Sequence, residues 1–433
     1  MEKLKNIASF ILETARKQGA DKAYCYVSER EKREFNVDGG EFSLFRTLFD
    51  RNVSVTVFKN KCKGSVSINR FDEESVESAV KNCILAAESA TPDDAWEIAE
   101  NIGEKEFSEG ALVCDTEKLF ERTKEFMSDI AAKHPLIMME QLIVSYVKNQ
   151  SVYMSTTGNL YKNTLGFYDL STMYSAHKGE EATSFYGSDT TMKDLDKRFI
   201  DLSFVDSDLT DVENQLGAKP VDGKFVGTVI FTPACLVDTV FGNVASNFAS
   251  DGTILDGTSI WKDKLGEKVA DARISVSFDP SDKRIIGGEK YTGEGYISEK
   301  YDFIKDGVLE SFMLSQYVAN KTSKKRSPNS GFDIVIKNGE KSIADIIKET
   351  EKGILVGRFS GGAPGTNGEF SGVAKNGFYI ENGKIVSALS ETMISGNLAD
   401  MLFNLVDVSK EVLEDGNLVA PYMAFGGITV SGK

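Results

Sequence analysis

The spacing of apolar residues changes several times within the first 90 positions, and each spacing predicts a different element. Apolar residues recur at helical intervals from Leu4 to Ala15, which predicts an amphipathic helix over 3–18. The next stretches, AYCYVSER, EFSLFRTLF, NVSVTVF and KGSVSINR, alternate polar and apolar positions or are rich in β-branched residues, as strands are. Asp72 then predicts the N-cap of a second helix over about 73–90.

A similar order of elements follows from about residue 116. A helical stretch, TEKLFERTKEFMSDIAAKH, precedes three strand-like stretches, QLIVSYVKN, VYMSTTGN and LGFYDLSTMYSAHKG, and a polar helix is predicted near 194–216. The repeated order of helix, strands and helix suggests an internal duplication that relates residues 1–100 to residues 116–216.

The pattern changes again at GAKPVDGKF, residues 217–225, where glycine and proline precede a new strand, VGTVIFT. Pro233 suits the first turn of a helix through ACLVDTVFGNVASNF. Two hairpins are predicted further on, with turns at Asp306-Gly307 and Asn382-Gly383, because these pairs tolerate positive φ angles. We therefore predict an α+β fold with two domains, an N-terminal α+β domain over 1–216 and a β-rich domain over 217–433.

Charge excludes some classes of partner. The 433 residues carry 50 Lys and Arg against 66 Asp and Glu, a formal net charge of −16. Nucleic acids and anionic membranes are bound by clustered cations, so we expect no direct contact with either. The one basic cluster, Lys324-Lys325-Arg326, is short enough to be a solvated loop.

Cysteine usage indicates a reducing compartment. The five cysteines are widely spaced, odd in number and form no CxxC pair, and the chain starts with the polar sequence MEKLKNIASF. No apolar run approaches the roughly 18 residues that span a bilayer. We therefore predict a cytoplasmic protein with no membrane segment.

The residues provide no complete catalytic set. Only His134 and His177 are present. His134 ends a predicted helix, where a cap-like role is expected, and His177 lies near Glu180 and Glu181, which are too few for a closed zinc site of about four ligands. The Gly-rich stretch FSGGAPGTNGEFSG, residues 359–372, lacks the context of a dinucleotide-binding motif and is predicted to be a mobile loop that faces substrate.

One long stretch carries a resemblance to a known family. NGFYIENGKIVSALSETMISGNLADML resembles the C-terminal signature of the TldD/PmbA family, and of its PmbA (TldE) branch in particular. The resemblance continues through ADKAYCYVSEREKREFNVDGG, KLGEKVADARISVSFDP and GGAPGTNGEFSGVAKNGFYIENG, and so covers nearly the whole chain.

This resemblance implies a peptidase of two related subunits, in which the TldD type carries zinc on an HExxxH helix with a cysteine ligand near the C-terminus. The stretch TVFGNVASNFASDGT aligns with the HExxxH motif. In this alignment Phe241 and Ser246 occupy the positions of the two histidines, and Gly242 occupies the position of the glutamate. No cysteine follows Cys235. The resemblance therefore implies no zinc in this chain and zinc in a TldD-like partner. An older family name, modulator of DNA gyrase, implies a role related to nucleic acid. The net charge of −16 gives no direct support to that role.

Three functional hypotheses follow. The leading one is a non-catalytic PmbA/TldE-like subunit of a cytoplasmic metalloprotease that acts on unfolded peptides together with a TldD-like zinc subunit. The alternatives are a homodimer that binds peptides or a partner without catalysis, and an independent hydrolase with an unrecognised site. The candidate peptide-binding residues lie on the helix equivalent to the zinc motif and on the Gly-rich loop: Asn243, Ser246, Asn247, Gly361, Gly362 and Asn367.

Overall fold

The computed structural model describes residues 1–433, and its first 216 residues, here called the first half, build one eight-stranded sheet. The helices are α1 (Glu2–Lys17), α2 (Glu73–Glu88), α3 (Thr116–Lys133) and α4 (Val205–Glu213), with a short 3-10 turn at Phe199–Asp201. The strands are β1 (Lys22–Asp38), β2 (Glu41–Lys59), β3 (Cys62–Ile68), β4 (Glu104–Gly110), β5 (Ile137–Ser155), β6 (Leu160–Lys178), β7 (Glu181–Ala182) and β8 (Thr190–Met192).

Alternation along β1 explains where these helices pack. Ala23, Cys25 and Val27 share one face of the strand and are fully buried in a cluster with residues of α1 and α2. Phe35 and Val37, which have the same parity, belong to a second cluster with residues of α3 and α4. Because residues of one parity point to one face of a sheet, all four helices cover the same face. The strand order is β3-β2-β1-β5-β6-β4, with β7 and β8 also paired to β6.

Residues 217–433, the second half, form a thirteen-stranded, mainly antiparallel sheet with short helices. The helical segments are α5 (Pro233–Leu236), α6 (Gly242–Val244), α7 (Asp251–Leu255), α8 (Gln316–Thr322), α9 (Ile343–Glu349) and α10 (Leu398–Phe403), with wider π-type turns at Val237–Phe241 and Ala245–Ala249. The strands are β9 (Lys224–Phe231), β10 (Val276–Phe278), β11 (Tyr301–Lys305), β12 (Val308–Leu309), β13 (Ile334–Ile336), β14 (Lys352–Val356), β15 (Arg358–Gly361), β16 (Glu369–Lys375), β17 (Gly377–Glu381), β18 (Lys384–Leu389), β19 (Thr392–Asn397), β20 (Leu405–Glu414) and β21 (Val419–Ser431).

The sheet of the second half is organised around β21. Its main path runs β12-β11-β10-β13-β21-β9-β14-β17-β18, while β19 and β20 also pair with β21, and β16 links β19 to β15. The pairs β9 with β14 and β13 with β21 are parallel, and the others are antiparallel. The predicted hairpin turns are confirmed, with φ of 47° at Asp306 and 49° at Asn382. The α+β fold class is confirmed as well.

The two halves have separate hydrophobic cores, and one of their contacts is made by the helix-free face of the first sheet. None of the four buried apolar clusters contains residues of both halves. At the contact, Tyr153 and Tyr161 stack with ring centroids 5.3 Å apart, and the Tyr161 hydroxyl donates to the Gly295 carbonyl oxygen at 2.9 Å. A Cβ at Gly295 would lie 2.4 Å from the Tyr153 hydroxyl oxygen, so only glycine allows this approach.

Several predicted elements differ from those observed. EFSLFRTLF and NVSVTVF are one strand, β2, and QLIVSYVKN continues into VYMSTTGN as β5. These strands stay continuous because β1 pairs along its whole length with both β2 and β5. The helix predicted near 194–216 is helical only over Val205–Glu213. The boundary at 217 and the internal duplication stay predictions.

None of the helices is both long and apolar enough to cross a lipid bilayer.

Candidate functional site

The helix equivalent to the zinc motif, residues 233–249 and here called the motif helix, begins with Pro233 in its first turn as predicted. Two of its segments have π-type geometry, Val237–Phe241 and Ala245–Ala249. In such wide turns, residues five positions apart come closer to one face than they do in an α-helix. Where a π-type turn meets an α-helical turn, the spacing of the backbone hydrogen bonds changes. Some carbonyl oxygens then need donors other than backbone N–H groups.

Side chains of the motif helix supply those donors. The Asn243 Nδ2 atom donates to the carbonyl oxygens of Asp238, at 3.0 Å, and Thr239, at 2.9 Å. The Ser246 Oγ atom donates to the Gly242 carbonyl oxygen at 2.7 Å. Both predicted peptide-binding residues therefore already have a structural task in the helix itself.

The three motif-equivalent residues cannot form a zinc centre. Phe241 is completely buried in the core, whereas Ser246 is exposed at the helix surface. A Cβ at Gly242 would lie only 3.0 Å from the Val237 carbonyl oxygen. Zinc requires His, Cys or carboxylate ligands, and nowhere in the structure do three or more such side chains converge.

Cys235 does not change this conclusion. Its side chain is buried, and its Sγ atom lies 3.5 Å from Thr239 Oγ1. Burial raises the pKa of the Cys235 thiol to about 12, so the thiolate that would bind a metal is disfavoured. Neither does His177 join Glu180 and Glu181, because its Nε2 atom lies 2.9 Å from Ser175 Oγ and 3.9 Å from a Glu140 carboxylate oxygen.

His134 lies at the end of α3, as expected, but it is buried between acidic residues. Its Nδ1 atom lies 3.2 Å from Glu213 Oε2, and its Nε2 atom lies 3.2 Å from Asp206 Oδ1. The ring therefore connects α3 with α4, in addition to its position at the helix end.

The Gly-rich stretch is a hairpin whose connecting loop, residues 362–368, lies beside the motif helix. The Asn247 Nδ2 atom donates to the Pro364 carbonyl oxygen at 3.0 Å. The Asn397 Nδ2 atom donates to the Asn367 carbonyl oxygen at 2.8 Å, and the Asn397 Oδ1 atom also caps α10. The structure therefore brings Asn247 and the 362–368 loop together.

Gly361 and Gly362 have different surroundings. A Cβ at Gly361 would lie 2.6 Å from the Gly372 Cα atom, so this glycine allows β15 and β16 to pair closely. No atom lies within 4 Å of the Cβ position at Gly362, which leaves its main chain accessible. Binding of peptide by these residues stays a prediction.

Sequence reasoning missed a cavity of about 400 Å³ between the two halves. It begins at the N-terminal end of the motif helix and is lined by residues from five segments, within 185–190, 203–208, 232–239, 357–359 and 413–422. These segments are far apart in the chain and share no motif, so no local signal could have identified the cavity. It is called the inter-half cavity below.

Comparisons with known proteins agree with the fold. Residues 223–432 match the model of the PmbA/TldA metallopeptidase C-terminal domain, and residues 23–90 match PmbA/TldA metallopeptidase domain 1. The chain is 26% identical to the metalloprotease PmbA homolog of Buchnera aphidicola, over 93% of this chain and 89% of that protein. It is 23% identical to the metalloprotease PmbA homolog of Haemophilus influenzae, over 100% of this chain and 97% of that protein.

Solved structures with the same fold cover the chain almost completely. TldE from Thermococcus kodakarensis superimposes with a TM-score of 0.84 at 19% identity, over 99% of this chain and 100% of that one. A protein of Bacteroides thetaiotaomicron described as a candidate modulator of DNA gyrase superimposes with a TM-score of 0.85 at 22% identity, over 99% of each chain.

Proposed function

Because the chain belongs to the PmbA/TldD metallopeptidase family, in its PmbA (TldE) branch, we propose that it is the non-catalytic subunit of a cytoplasmic metalloprotease that degrades unfolded peptides. Its partner is a related subunit of the TldD type, which holds the zinc ion. The observation that carries the proposal is the fully buried Phe241 at a motif histidine position, together with Gly242 and Ser246 at the other two.

In this assembly the two subunits have different chemical tasks. The zinc of the partner supplies a Lewis acid that activates water and polarises the scissile carbonyl group. This chain holds and orients the peptide, and it excludes water from the cleft. The contact of Asn247 with the 362–368 loop supports a role of this region in holding the peptide.

The edge of β15 suits main-chain recognition of a peptide. β15 pairs with β16 on one side only, and Ser360 and Gly361 are exposed. An edge strand offers unpaired N–H and C=O groups to an extended chain, which is recognition without strict side-chain specificity. Such pairing suits unfolded substrates of varied sequence.

The cytoplasmic location in this proposal is supported by the cysteines. All five are free thiols in the structure, and four of them are buried. A reducing compartment preserves such thiols.

The test is hydrolysis of a disordered, fluorescently labelled peptide by this chain alone, by the HExxxH paralogue of the same organism, and by their mixture. We expect activity in the mixture, loss of activity with EDTA, and a heteromeric peak in size-exclusion chromatography. Asn247→Ala should lower kcat/KM of the mixture by about fivefold, because it removes one hydrogen bond to the loop. Asn338→Ala, an exposed asparagine elsewhere, is the matched control.

Two results would overturn the proposal in different ways. Activity of the isolated chain that survives EDTA would indicate an independent hydrolase. A chain that ignores the paralogue, self-associates and binds the peptide without cleaving it would indicate a peptide-binding homodimer.

A further inference from the structure

The only basic side chain that lines the inter-half cavity, Arg358, forms no ion pair. The Arg358 guanidinium lies over the Phe185 ring, with its Cζ atom 4.1 Å from the ring centre. Its Nε atom donates to Asn376 Oδ1 at 3.3 Å, and its Nη2 atom donates to Ser184 Oγ at 3.2 Å. Both acceptors are neutral, and Nη1 has no partner within the protein. Burial lowers the pKa of Arg358, because desolvation disfavours the charged guanidinium.

Four aspartates line the same cavity: Asp189, Asp208, Asp238 and Asp415. The Asp208 Oδ2 atom accepts a hydrogen bond from Ser188 Oγ at 2.8 Å, and that hydroxyl lies 2.8 Å from the Tyr174 hydroxyl. The Asp208 Oδ1 atom has no donor. Asp415 is buried, and its Oδ1 atom accepts from the backbone N–H groups of Asn417 and Leu418 at 2.8 and 2.9 Å. Burial raises the pKa of both carboxyl groups, to about 7 for Asp208.

Apolar side chains form about half of the remaining wall. They include Phe204, Val205, Leu413, Leu418 and Tyr422. A volume of about 400 Å³ lies at the lower end of the range for small-molecule sites. The cavity therefore suits a small ligand that has an anionic group, a cationic group and apolar substituents.

A short peptide with free termini has this combination of groups. Its C-terminal carboxylate matches the planar guanidinium, which binds carboxylates through paired hydrogen bonds. Its N-terminal ammonium supplies the donor that the Asp208 Oδ1 atom lacks, and its side chains match the apolar part of the wall.

We propose that the inter-half cavity is a binding site for unmodified dipeptides, with the C-terminal carboxylate on Arg358 and the N-terminal ammonium on Asp208. This site is separate from the β15 edge and from the 362–368 loop. It needs neither zinc nor a second subunit, so its test does not depend on the proposed function.

The first experiment uses the unaltered full chain and isothermal titration calorimetry with Ala-Leu, Ala-Leu amide and N-acetyl-Ala-Leu. We expect Ala-Leu to bind with a Kd on the order of 1 mM or tighter, as a ligand of that size allows. Each blocked peptide should bind about tenfold more weakly, because each lacks one charge-assisted contact.

The second experiment uses variants to test which residue binds each end of the dipeptide. Arg358→Gln should weaken Ala-Leu binding about tenfold and abolish the difference between the acid and the amide. Arg326→Gln is the matched control, because Arg326 lies over the Tyr296 ring with a similar Cζ-to-centre distance of 4.0 Å but outside the cavity. Asp208→Asn should weaken Ala-Leu binding and leave N-acetyl-Ala-Leu unaffected.

Three results would overturn the proposal. They are no saturable binding of Ala-Leu up to about 10 mM, equal affinity for the acid and both blocked peptides, or equal effects of Arg358→Gln and Arg326→Gln. The comparison of blocked peptides uses the unaltered chain, so the proposal stays falsifiable even where a variant folds poorly. Thermal melts of each variant without peptide identify that case.

Discussion

Phe241 occupies a position that a zinc ligand would take in the TldD type, and its ring is instead part of a core cluster of 43 buried residues. The cluster also contains Val240 and Val244 from the same helix. Phe241 is therefore a packing residue, since a fully buried aromatic ring contributes both burial of apolar area and close contacts.

We expect Phe241→Ala to lower the free energy of unfolding by about 3–5 kcal/mol, because it removes a buried ring and leaves a cavity. Urea denaturation followed by circular dichroism measures the change. Ser246→Ala, at the exposed motif position, should cost about 1 kcal/mol or less. Equal costs for both variants would contradict the assignment of Phe241 to the core.

A second prediction at the residue scale concerns the pH dependence of stability that Asp208 causes. Burial raises the pKa of Asp208 to about 7 and the pKa of the adjacent Asp211 to about 6, against about 3.9 for an unfolded aspartate. The folded state therefore binds protons more tightly, and stability should fall as the pH rises from about 4 to about 7. The side chain of Asp208→Asn cannot ionise, so this variant should not show the part of the stability loss that Asp208 causes.

The measurement is urea denaturation of Asp208→Asn and of the unaltered chain at pH 5 and pH 8. From pH 5 to pH 8, we expect the free energy of unfolding of the variant to rise by on the order of 1 kcal/mol relative to that of the unaltered chain. This figure is reduced for solvent screening, because Asp208 is only half-buried. Asp263→Asn, an exposed carboxylate outside the cavity, is the control. A stability difference that does not change with pH would contradict the predicted shift.

At the scale of elements, the motif helix and the β15–β16 hairpin act as one unit. The Asn247 side chain connects the helix to Pro364, and the Asn397 side chain connects α10 to Asn367. The loop is thus held at both ends of its length by amide side chains from two different elements. The loop also has backbone hydrogen bonds, from Gly368 N–H to the Gly365 carbonyl oxygen and from Leu398 N–H to the Gly368 carbonyl oxygen.

We expect Asn247→Ala to increase the rate of proteolysis within residues 362–368 about fivefold, because it removes the hydrogen bond to the Pro364 carbonyl oxygen. Limited proteolysis with mass spectrometry identifies the cleaved bonds. Asn243→Ala is the comparison, because the Asn243 side chain bonds only within its own helix. Faster cleavage of the loop in Asn243→Ala than in Asn247→Ala would contradict this anchoring.

For the whole molecule, the contact between the halves is polar and aromatic rather than a shared apolar core. Trp96 stacks on Tyr317 with ring centroids 3.8 Å apart, and the Tyr317 hydroxyl donates to Asp93 Oδ2 at 2.9 Å. Lys321 lies 3.0 Å from the same carboxylate oxygen. These contacts, like the tyrosines at Gly295, hold the halves in the arrangement that shapes the inter-half cavity.

Tyr317→Ala should weaken this contact by about 2–3 kcal/mol, because it removes both the stacked ring and the hydrogen bond. Differential scanning calorimetry should then show a broader or divided transition, since each half keeps its own core. Tyr317→Phe keeps the ring and should lose only about 1 kcal/mol. A single, unshifted transition in Tyr317→Ala would show that the halves are coupled elsewhere.

Local features of the fold were predictable because they depend on neighbouring residues. The turns at Asp306 and Asn382, the N-cap at Asp72 and the start of the motif helix at Pro233 are confirmed. The continuity of β2 and β5 was not predicted, because it results from pairing with β1, which is distant in the chain. The wide turns of the motif helix also escaped prediction, since they depend on packing and on side-chain donors.

The sequence by itself determined the family and the chemistry at the motif positions, because no arrangement of Phe241, Gly242 and Ser246 can supply zinc ligands. The conformation of the short turns was determined in the same way. Only the tertiary structure decided that Asn247 reaches the loop while Asn243 and Ser246 bond within their helix. It also created the inter-half cavity, since Arg358 and Asp208 line the same cavity only when the two halves pack together.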